Sequence, residues 1–296
     1  MNTANKAPLK TSDSPLKIAV IGLGLIGGSI CKAIKFNTNH AVAGYDISDM
    51  ATKHAILVGA VDSVIESAEG LSVCDIVIVA LCPEAAAEYL KNNAPFIKKG
   101  AVVIDCCGTK RAICTLGFDL AEKHNFHFLG GHPMAGTHNS GFKYAREDMF
   151  NGATMVIVAR GDENIKFLEF VKTQLISSIG FGAVTFTSSE EHDRIIAYTS
   201  QLAHVVSNAY MKSPTAQSHK GMSAGSYRDL TRVAKLSEKM WTELFLENGD
   251  NLSSELDKII SELTKYNDAI KSRDAVTLTS LLKEGREIKE KEESAK

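Results

Sequence analysis

The chain has 296 residues, of which 44% are hydrophobic and 23% are charged, and its formal net charge is −2. This composition is typical of a globular protein that is large enough for two domains. The near-neutral charge argues against a nucleic-acid surface or a polybasic membrane patch, and the apolar runs are too short to span a membrane.

The six cysteines contain no C-x-x-C pair, the spacing that many zinc sites use, and we predict no metal site. A chain of this size does not need disulfides, so we interpret the cysteines as reduced thiols of a cytoplasmic protein. Residues 1–15 are polar and lack the apolar segment of a secretory signal. They are predicted to form a flexible N-terminal tail.

Between residues 16 and 188, short segments rich in Val and Ile alternate with helical patterns. The strand candidates are Lys17–Ile21, Ala41–Tyr45, Asp75–Leu81, Ala101–Cys106, His127–Leu129, Thr154–Ala159 and the AVTFT segment at 183–187. They are apolar on both faces, which favours a parallel sheet covered by helices. Another amphipathic helix is predicted from Asp162 to about Gly180. We therefore predict a doubly wound α/β domain over residues 16–188.

Residues 189–296 contain no convincing strand pattern and are predicted to form an all-helical domain. The SSEE segment at 188–191 fits the start of one helix, SSEL at 253–256 fits the start of another, and Asp274 is expected to cap the last. These helices have more apolar surface than a small bundle easily buries, so we expect a homodimer through this domain. A self-sufficient monomeric bundle is the alternative.

The first strand candidate is followed by a G-x-G-x-x-G pattern at Gly22, Gly24 and Gly27, which opens an apolar helix. Gly22 permits a tight turn, Gly24 lets the backbone approach a pyrophosphate, and Gly27 allows close packing of helix on strand. The amides of Leu25 and Ile26 at the helix N-terminus are expected to bind phosphate. In this context the pattern predicts a Rossmann-type dinucleotide site.

The second strand leads into Asp46, at the distance expected of the acid that binds the adenosine ribose. Its carboxylate would repel a 2′-phosphate, and Ile47 and Ser48 supply no compensating cation, so we predict NAD rather than NADP as the cofactor. Cys82 and Pro83 follow a later strand and are also predicted to contact the cofactor. The reason is that ligands bind outside the carboxyl ends of strands in such sheets.

The loop GGHPMAGTHNSGF, Gly130–Phe142, combines several glycines with a high density of polar side chains. A loop of this kind after a sheet strand indicates a substrate site. His132 is its candidate catalytic residue. The turn at 106–109 also follows a strand, and it is predicted to line the nicotinamide half of the cleft.

With these motifs the sequence resembles the prephenate/arogenate dehydrogenase family of tyrosine biosynthesis. The resemblance runs from about Lys17 to about Asn248 and is carried by GLGLIGGS, DCCGTK, GGHPMAGTHNSG, EEHDRIIAYTSQLAH and DLTRVAKLSEKMWTELFLEN. It implies a Rossmann domain followed by a helical dimerisation domain. It also implies NAD-dependent oxidative decarboxylation of prephenate to 4-hydroxyphenylpyruvate, which we favour, or of arogenate to tyrosine. Another NAD-dependent dehydrogenase of this architecture and a non-enzymatic NAD sensor are the competing hypotheses.

The resemblance implies that His132 is the general base, a role that suits an imidazole at neutral pH. It implies that Arg232 holds a substrate carboxylate through its guanidinium fork. His204 and Trp241 are expected to reach the pocket, although Trp241 fits a core or interface position equally well. His192, in the E-E-H-D segment, is expected to have a structural role.

Several positions depart from the family pattern. Gly108 stands where members often carry a serine that binds the substrate hydroxyl, which leaves Thr109 as the nearby hydroxyl. Gln201 and Ala203 replace the first histidine and the proline of the family's S-H-L-P-H motif. His138 stands where many members have an acid. We expect Gly108, Thr109 and His138 to contact the substrate, and these departures to affect substrate preference more than reaction class.

Overall fold

The protein is described here by a computed structural model that covers residues 15–137, 139–219 and 221–295. Apart from Pro15, the predicted N-terminal tail lies outside the described residues. The strands are β1 (Lys17–Ile21), β2 (Ala41–Tyr45), β3 (Ser63–Val64), β4 (Ile76–Val79), β5 (Val102–Asp105), β6 (His127–Pro133), β7 (Thr154–Val158) and β8 (Ala183–Thr187). The described residues also contain eleven α-helices: α1 (Leu25–Asn37), α2 (Asp49–Leu57), α3 (Pro83–Asn93), α4 (Arg111–His124), α5 (Ile165–Phe170), α6 (Ser189–Ile196), α7 (Ala203–Tyr210), α8 (Gly225–Thr231), α9 (Glu238–Glu247), α10 (Gly249–Ser272) and α11 (Ala275–Ser294).

The eight strands form one sheet in the order β3-β2-β1-β4-β5-β6-β7-β8. The first six pair in parallel, which confirms the predicted doubly wound sheet. β7 differs, because it runs antiparallel to β6 and parallel to β8. A parallel neighbour needs a long crossover, usually a helix, and the described residues between β6 and β7 hold only the short 3-10 turn Phe142–Tyr144 as helical structure.

Alternate residues of the central strands enter two separate hydrophobic clusters. Ile18 and Val20 of β1 pack on the side of the sheet that α1 covers. Ala19 and Ile21 pack on the opposite side, together with apolar residues of α3 and α4. Burial on both faces explains why these strands show no alternation of polar and apolar residues. β3 was not predicted, because two exposed residues carry no such pattern.

From residue 189 onward the described chain contains helices and no strand, which confirms the predicted all-helical part. The Ser188 hydroxyl accepts a hydrogen bond from the Glu191 amide at 3.1 Å, and Asp274 accepts from the first-turn amides of α11, so both predicted caps are present. The helix α6 begins at Ser189, and the domain boundary after residue 188 stays a prediction. None of the described helices combines the length and the apolar character needed to cross a membrane.

The helix predicted from Asp162 was wrong in its start and its regularity. It begins at Ile165, because the Asn164 side chain accepts a hydrogen bond from the Lys166 amide at 2.9 Å and caps it there. Its later turns widen to π and then tighten to 3-10 geometry before the chain reverses at Gly180, where φ is +101°.

The helix start predicted at Ser253 was also wrong, because α10 begins at Gly249. Asn248 is fully buried at the junction of α9 and α10, and its carbonyl accepts the amide of Leu252 at 3.0 Å. The Asn248 amide group is held by the carbonyl of Asp193 at 2.8 Å. This long-range anchor, which no local pattern reveals, sets where the helix begins.

Candidate active site

The glycine turn after β1 has the geometry that a dinucleotide requires. Gly22 adopts φ +89°, and a Cβ there would lie 2.5 Å from the Ala80 carbonyl oxygen. A Cβ on Gly27 would lie 1.8 Å from the Gly22 carbonyl oxygen. Gly24 has no atom within 4 Å of such a Cβ, and as the residue before α1 it offers no side-chain cap to the first turn. The uncapped amides and the open space at Gly24 fit a pyrophosphate.

Asp46 directly follows β2 and is tied to the same turn. Its Oδ2 accepts a hydrogen bond from the Leu23 amide at 2.7 Å, and its Oδ1 accepts from the Ser48 amide at 2.8 Å. Each carboxylate oxygen keeps a second acceptor position that a ribose hydroxyl can use. Ile47 beside it is 92% exposed, so this side of the turn is open to a ligand.

The turn between β4 and α3 carries the other predicted cofactor residues. Cys82 is extended at the N-terminus of α3, and Pro83 occupies the first helical position. The amide of Glu84 donates to the Glu243 carboxylate of α9. Burial raises the pKa of the Cys82 thiol, and the Glu243 charge raises it further. The helical part of the protein therefore contacts the carboxyl ends of the strands, where a dinucleotide is expected.

The turn after β5 is organised by Asp105. One of its oxygens accepts the Cys107 amide at 2.8 Å and the Lys110 ammonium, and the other accepts the Gly131 amide at 3.2 Å. Burial has the largest single effect and lowers the pKa of Lys110, but the charge of Asp105, the hydrogen bond to it and the nearby Cys107 and Cys114 together outweigh burial, so the pKa is raised and the ammonium stays charged. This network joins the turn to β6, the strand that carries His132.

Gly108 and Thr109 lie in this turn against α9. A Cβ on Gly108 would lie 3.1 Å from the Leu244 side chain. Thr109 is 2% exposed, and its hydroxyl donates to the Glu247 carboxylate, whose pKa is raised by burial. The structure thus places the Thr109 hydroxyl on Glu247, and the contact of Gly108 and Thr109 with substrate stays a prediction.

His132 is the partly buried first member of a chain of three side chains. Its Nδ1 lies 2.9 Å from Nε2 of His192, and Nδ1 of His192 lies 2.7 Å from Oδ1 of Asp193. Asp193 accepts in turn the amides of Lys110 at 2.7 Å and Arg111 at 3.0 Å. His192 and Asp193 are 3% and 1% exposed. The sequence pattern E-E-H-D contained both residues, but it did not indicate this contact with His132.

The pKa of His132 lies well below its usual range. Burial is the main cause, and the nearby His192 and the charged Lys110 lower the pKa further, against a smaller opposing effect of Asp193. At neutral pH the imidazole is therefore neutral and able to accept a proton.

A second group of predicted residues lies on α7 and around α9. The rings of His204 and Trp241 stack with centroids 3.8 Å apart, and Nδ1 of His204 donates to the Ser200 carbonyl at 2.9 Å. Burial lowers the pKa of His204, and the charge of the exposed Arg232 adds to that effect. Among the described residues, no hydrogen bond or ring contact joins this group to His132. Their convergence on one ligand stays a prediction.

Gln201, which departs from the family pattern, has a structural role. Gln201 is 1% exposed; its amide donates to the Leu244 carbonyl at 3.0 Å, and its oxygen accepts from Asn248 at 2.8 Å, so it holds α9 in place. His138 lies outside the described residues.

Known proteins resemble this chain in both its α/β part and its helical part. The family model described as "Prephenate dehydrogenase, nucleotide-binding domain" matches residues 30–181, and that described as "Prephenate dehydrogenase, dimerization domain" matches residues 188–284. The chain is 31% identical over 291 residues to a prephenate dehydrogenase of Lactococcus lactis, covering 93% of this chain and 77% of the relative. It is 30% identical over 281 residues to that of Bacillus subtilis, with coverages of 92% and 75%. A solved prephenate dehydrogenase from A. aeolicus, in complex with hydroxyphenyl propionate and NAD+, has a TM-score of 0.80 at 27% identity, covering 95% of this chain and 99% of that one.

Proposed function

Because the chain belongs to the prephenate dehydrogenase family, we propose that it catalyses the NAD-dependent oxidative decarboxylation of prephenate to 4-hydroxyphenylpyruvate in tyrosine biosynthesis. The ring C4 loses a hydride and its hydroxyl proton passes to a base. The ring carboxylate then leaves as CO2, its electron pair makes the ring aromatic, and the resulting phenolate oxygen takes back a proton. NAD, when bound, accepts the hydride. The observation that carries the proposal is the neutral His132, held near the carboxyl end of β6 in hydrogen-bond contact with His192.

The cofactor half of the site supports NAD. The open approach at Gly24 and the uncapped N-terminus of α1 suit the pyrophosphate. Asp46 suits the ribose hydroxyls and would repel a 2′-phosphate. Gly22, Gly27, Leu25 and Ile26 form the rest of the cradle, and Cys82 with Pro83 borders it across the carboxyl edge of the sheet.

His132 accepts the proton of the C4 hydroxyl in this proposal. Its lowered pKa keeps the acceptor nitrogen free at neutral pH, when the alcohol must be deprotonated. Removing the hydroxyl proton as the hydride leaves avoids a protonated ketone, and decarboxylation then completes aromatisation. The charged Lys110 near the ring disfavours an imidazolium, which assists loss of the proton afterwards.

Arg232 is the proposed partner of a substrate carboxylate. It is exposed, and its charge contributes to the lowered pKa of His204, which supports a position near the His204–Trp241 stack. A guanidinium binds a carboxylate through two parallel hydrogen bonds. The stacked rings would form an apolar wall beside it, suited to a six-membered carbon ring.

Steady-state kinetics test this proposal. We expect NADH formation, followed by absorbance, with prephenate and NAD, and much weaker turnover with NADP. The His132→Asn variant should lose turnover by about 100-fold or more while still binding NAD, as expected for removal of a general base. His124→Gln, at the end of α4, is the matched control and should behave as the native enzyme. Turnover of arogenate but not prephenate would redirect the substrate, and no NADH from either would refute the proposal.

We also propose that the protein is a homodimer through its helical domain. Apolar side chains on α10 and α11 are largely exposed in one chain: Ile260 57%, Leu263 58%, Ile270 60%, Val276 83%, Leu282 59% and Ile288 62%. A two-fold partner would cover such a face. Leu263→Lys should shift the mass measured by light scattering towards the monomer, whereas Leu57→Lys on α2, 84% exposed, should not. The six free cysteines are consistent with the cytoplasmic location that we propose.

A further inference from the structure

We propose that His192 and Asp193 are positioning residues that fix His132 in the tautomer with its proton on Nδ1, so that Nε2 is the basic atom. The E-E-H-D pattern by itself predicts only a structural role for His192. The inference rests on the proposed function in one respect, the role of His132 as the base. The tautomer itself can be observed without substrate.

The protonation state of Asp193, the last of the three linked side chains, determines the direction of each hydrogen bond. Burial raises the pKa of Asp193, but hydrogen bonds from His192 and from the amides of Arg111 and Lys110 outweigh it, so the pKa is lowered and the carboxylate is ionised. An ionised carboxylate can only accept, so Nδ1 of His192 must carry a proton and donate it.

A neutral His192 with its proton on Nδ1 has a lone pair on Nε2. That nitrogen lies 2.9 Å from Nδ1 of His132, so Nδ1 of His132 is the donor. The remaining nitrogen of His132, Nε2, then carries a lone pair. The direction of these hydrogen bonds thus selects the one tautomer in which the free nitrogen of His132 can accept a proton.

The Asp193 carboxylate is held in place by further donors, which enforces the direction of these hydrogen bonds. Oδ2 of Asp193 accepts both the amide of Arg111 at 3.0 Å and its Nε at 3.2 Å, while Oδ1 accepts the Lys110 amide at 2.7 Å. The carbonyl of Asp193 accepts the Asn248 amide group at 2.8 Å. The carboxylate therefore cannot rotate away from His192 without losing three donors. The packing of α6 against α4 therefore helps to orient His132 on β6.

The Asp193→Asn variant should reverse the direction of both hydrogen bonds. The amide oxygen is expected to take the Oδ2 position, because two donors of Arg111 point there and only one amide points at Oδ1. The NH2 group then donates to Nδ1 of His192, which moves the His192 proton to Nε2. Nδ1 of His132 must now accept, so its proton moves to Nε2, where it blocks the base.

The experiment is long-range ¹H–¹⁵N NMR of the ligand-free full chain labelled in histidine, with His132 assigned by comparison with His132→Gln. We expect a protonated Nδ1 and an unprotonated Nε2 on His132 in the native protein, and the reverse in Asp193→Asn. Turnover in that variant should fall by about 100-fold or more, with the KM for NAD nearly unchanged. Asp250→Asn removes a different partner of Arg111 and should keep the native tautomer.

A second pair of variants covers the case in which Asp193→Asn does not fold. His192→Gln places an oxygen near the native Nε2 and should retain the tautomer and most of the turnover, whereas His192→Leu should lose both. A proton on Nε2 of His132 in the native protein would overturn the inference, whatever the activity. Equal turnover of the Gln and Leu variants would overturn it as well. Failure of the proposed function would appear separately, as a native tautomer with no NADH formed.

Discussion

Lys110 and Asp105 form an ion pair in which both side chains are fully buried, at 0% exposure. Asp105 also accepts the amides of Cys107 and Gly131, at 2.8 and 3.2 Å. The pair therefore joins the turn after β5 to the strand that carries His132. A charge at this depth is tolerated only while its partner is present.

Replacing Lys110 by Met should destabilise the protein by about 3–5 kcal/mol, because the change leaves a buried carboxylate without its cation. Urea unfolding followed by circular dichroism measures the loss. The matched control is Lys98→Met, which breaks a surface pair with Asp75 in which Lys98 is 45% exposed. That change should cost less than about 1 kcal/mol. Similar losses in the two variants would show that burial of the Lys110 pair contributes nothing.

Two glycines of the same motif should respond differently to alanine. Gly27→Ala places a Cβ 1.8 Å from the Gly22 carbonyl oxygen, so the turn must distort and the melting temperature should fall by several degrees. Gly24→Ala meets no atom within 4 Å and has an ordinary φ of −77°, so the melting temperature should be nearly unchanged. Its methyl group would occupy the space proposed for the pyrophosphate, and NAD affinity measured by calorimetry should fall. Native affinity in Gly24→Ala would contradict that placement.

Asp46→Ala should weaken NAD binding and reduce the preference for NAD over NADP. The change removes the acceptor proposed for the ribose hydroxyls and the charge that opposes a 2′-phosphate. It also frees the amides of Leu23 and Ser48, so part of the loss reflects the turn itself. The ratio of kcat/KM for the two cofactors separates the effects, since a loosened turn lowers both. Asp49→Ala, in the first turn of α2, is the control and should leave the ratio unchanged.

The glycine turn of the proposed cofactor site was predictable because its signals are local. Gly22, Gly24 and Gly27 lie within six residues, and Asp46 follows the next strand, so spacing alone indicates their roles. Seven of the eight strands were predictable for the same reason, whereas β3 is too short to carry a pattern. The reversal at β7 depends on a connection without a crossover helix, which strand composition does not reveal.

The contacts that join the sheet to the helical part of the protein were not predictable, because they connect residues far apart in the sequence. His132 and His192 are separated by 60 positions, and Thr109 and Glu247 by 138. No periodicity records which side chains meet across such distances. The motif E-E-H-D predicts a structural role for His192. Only the folded structure shows that its imidazole contacts His132.

Arg232→Ala should raise the KM for prephenate by about 10-fold or more with a smaller change in the KM for NAD, because a lost charge-assisted pair costs about 1.5–3 kcal/mol. Arg232→Lys should recover only part of the loss, since an ammonium cannot form the same fork. Arg228 is also exposed and lies four residues earlier, which makes Arg228→Ala the matched control. An equal rise in KM for both alanine variants would indicate a general electrostatic effect and not a defined carboxylate partner.

The lowered pKa of His132 predicts how rate and stability change with pH. In the free enzyme the acidic limb of kcat/KM should fall clearly below the ordinary histidine value of 6.5, because His132 must be neutral to act as the base. For stability, the unfolded chain binds a proton at this residue below about pH 6.5, whereas the folded protein resists binding it. The unfolded state therefore holds more protons in the window between the two pKa values, and the free energy of unfolding falls as pH falls through it.

His132→Gln removes this titration and should flatten that part of the stability profile, measured by urea unfolding between pH 5 and 8. Burial is the main cause of the lowered pKa, while His192 and Lys110 add to the shift and Asp193 opposes it, so a variant that keeps these neighbours isolates the contribution of His132. An unchanged slope in His132→Gln would mean that the folded protein binds a proton at His132 as readily as the unfolded chain, and the base would then be half-charged near pH 6.5.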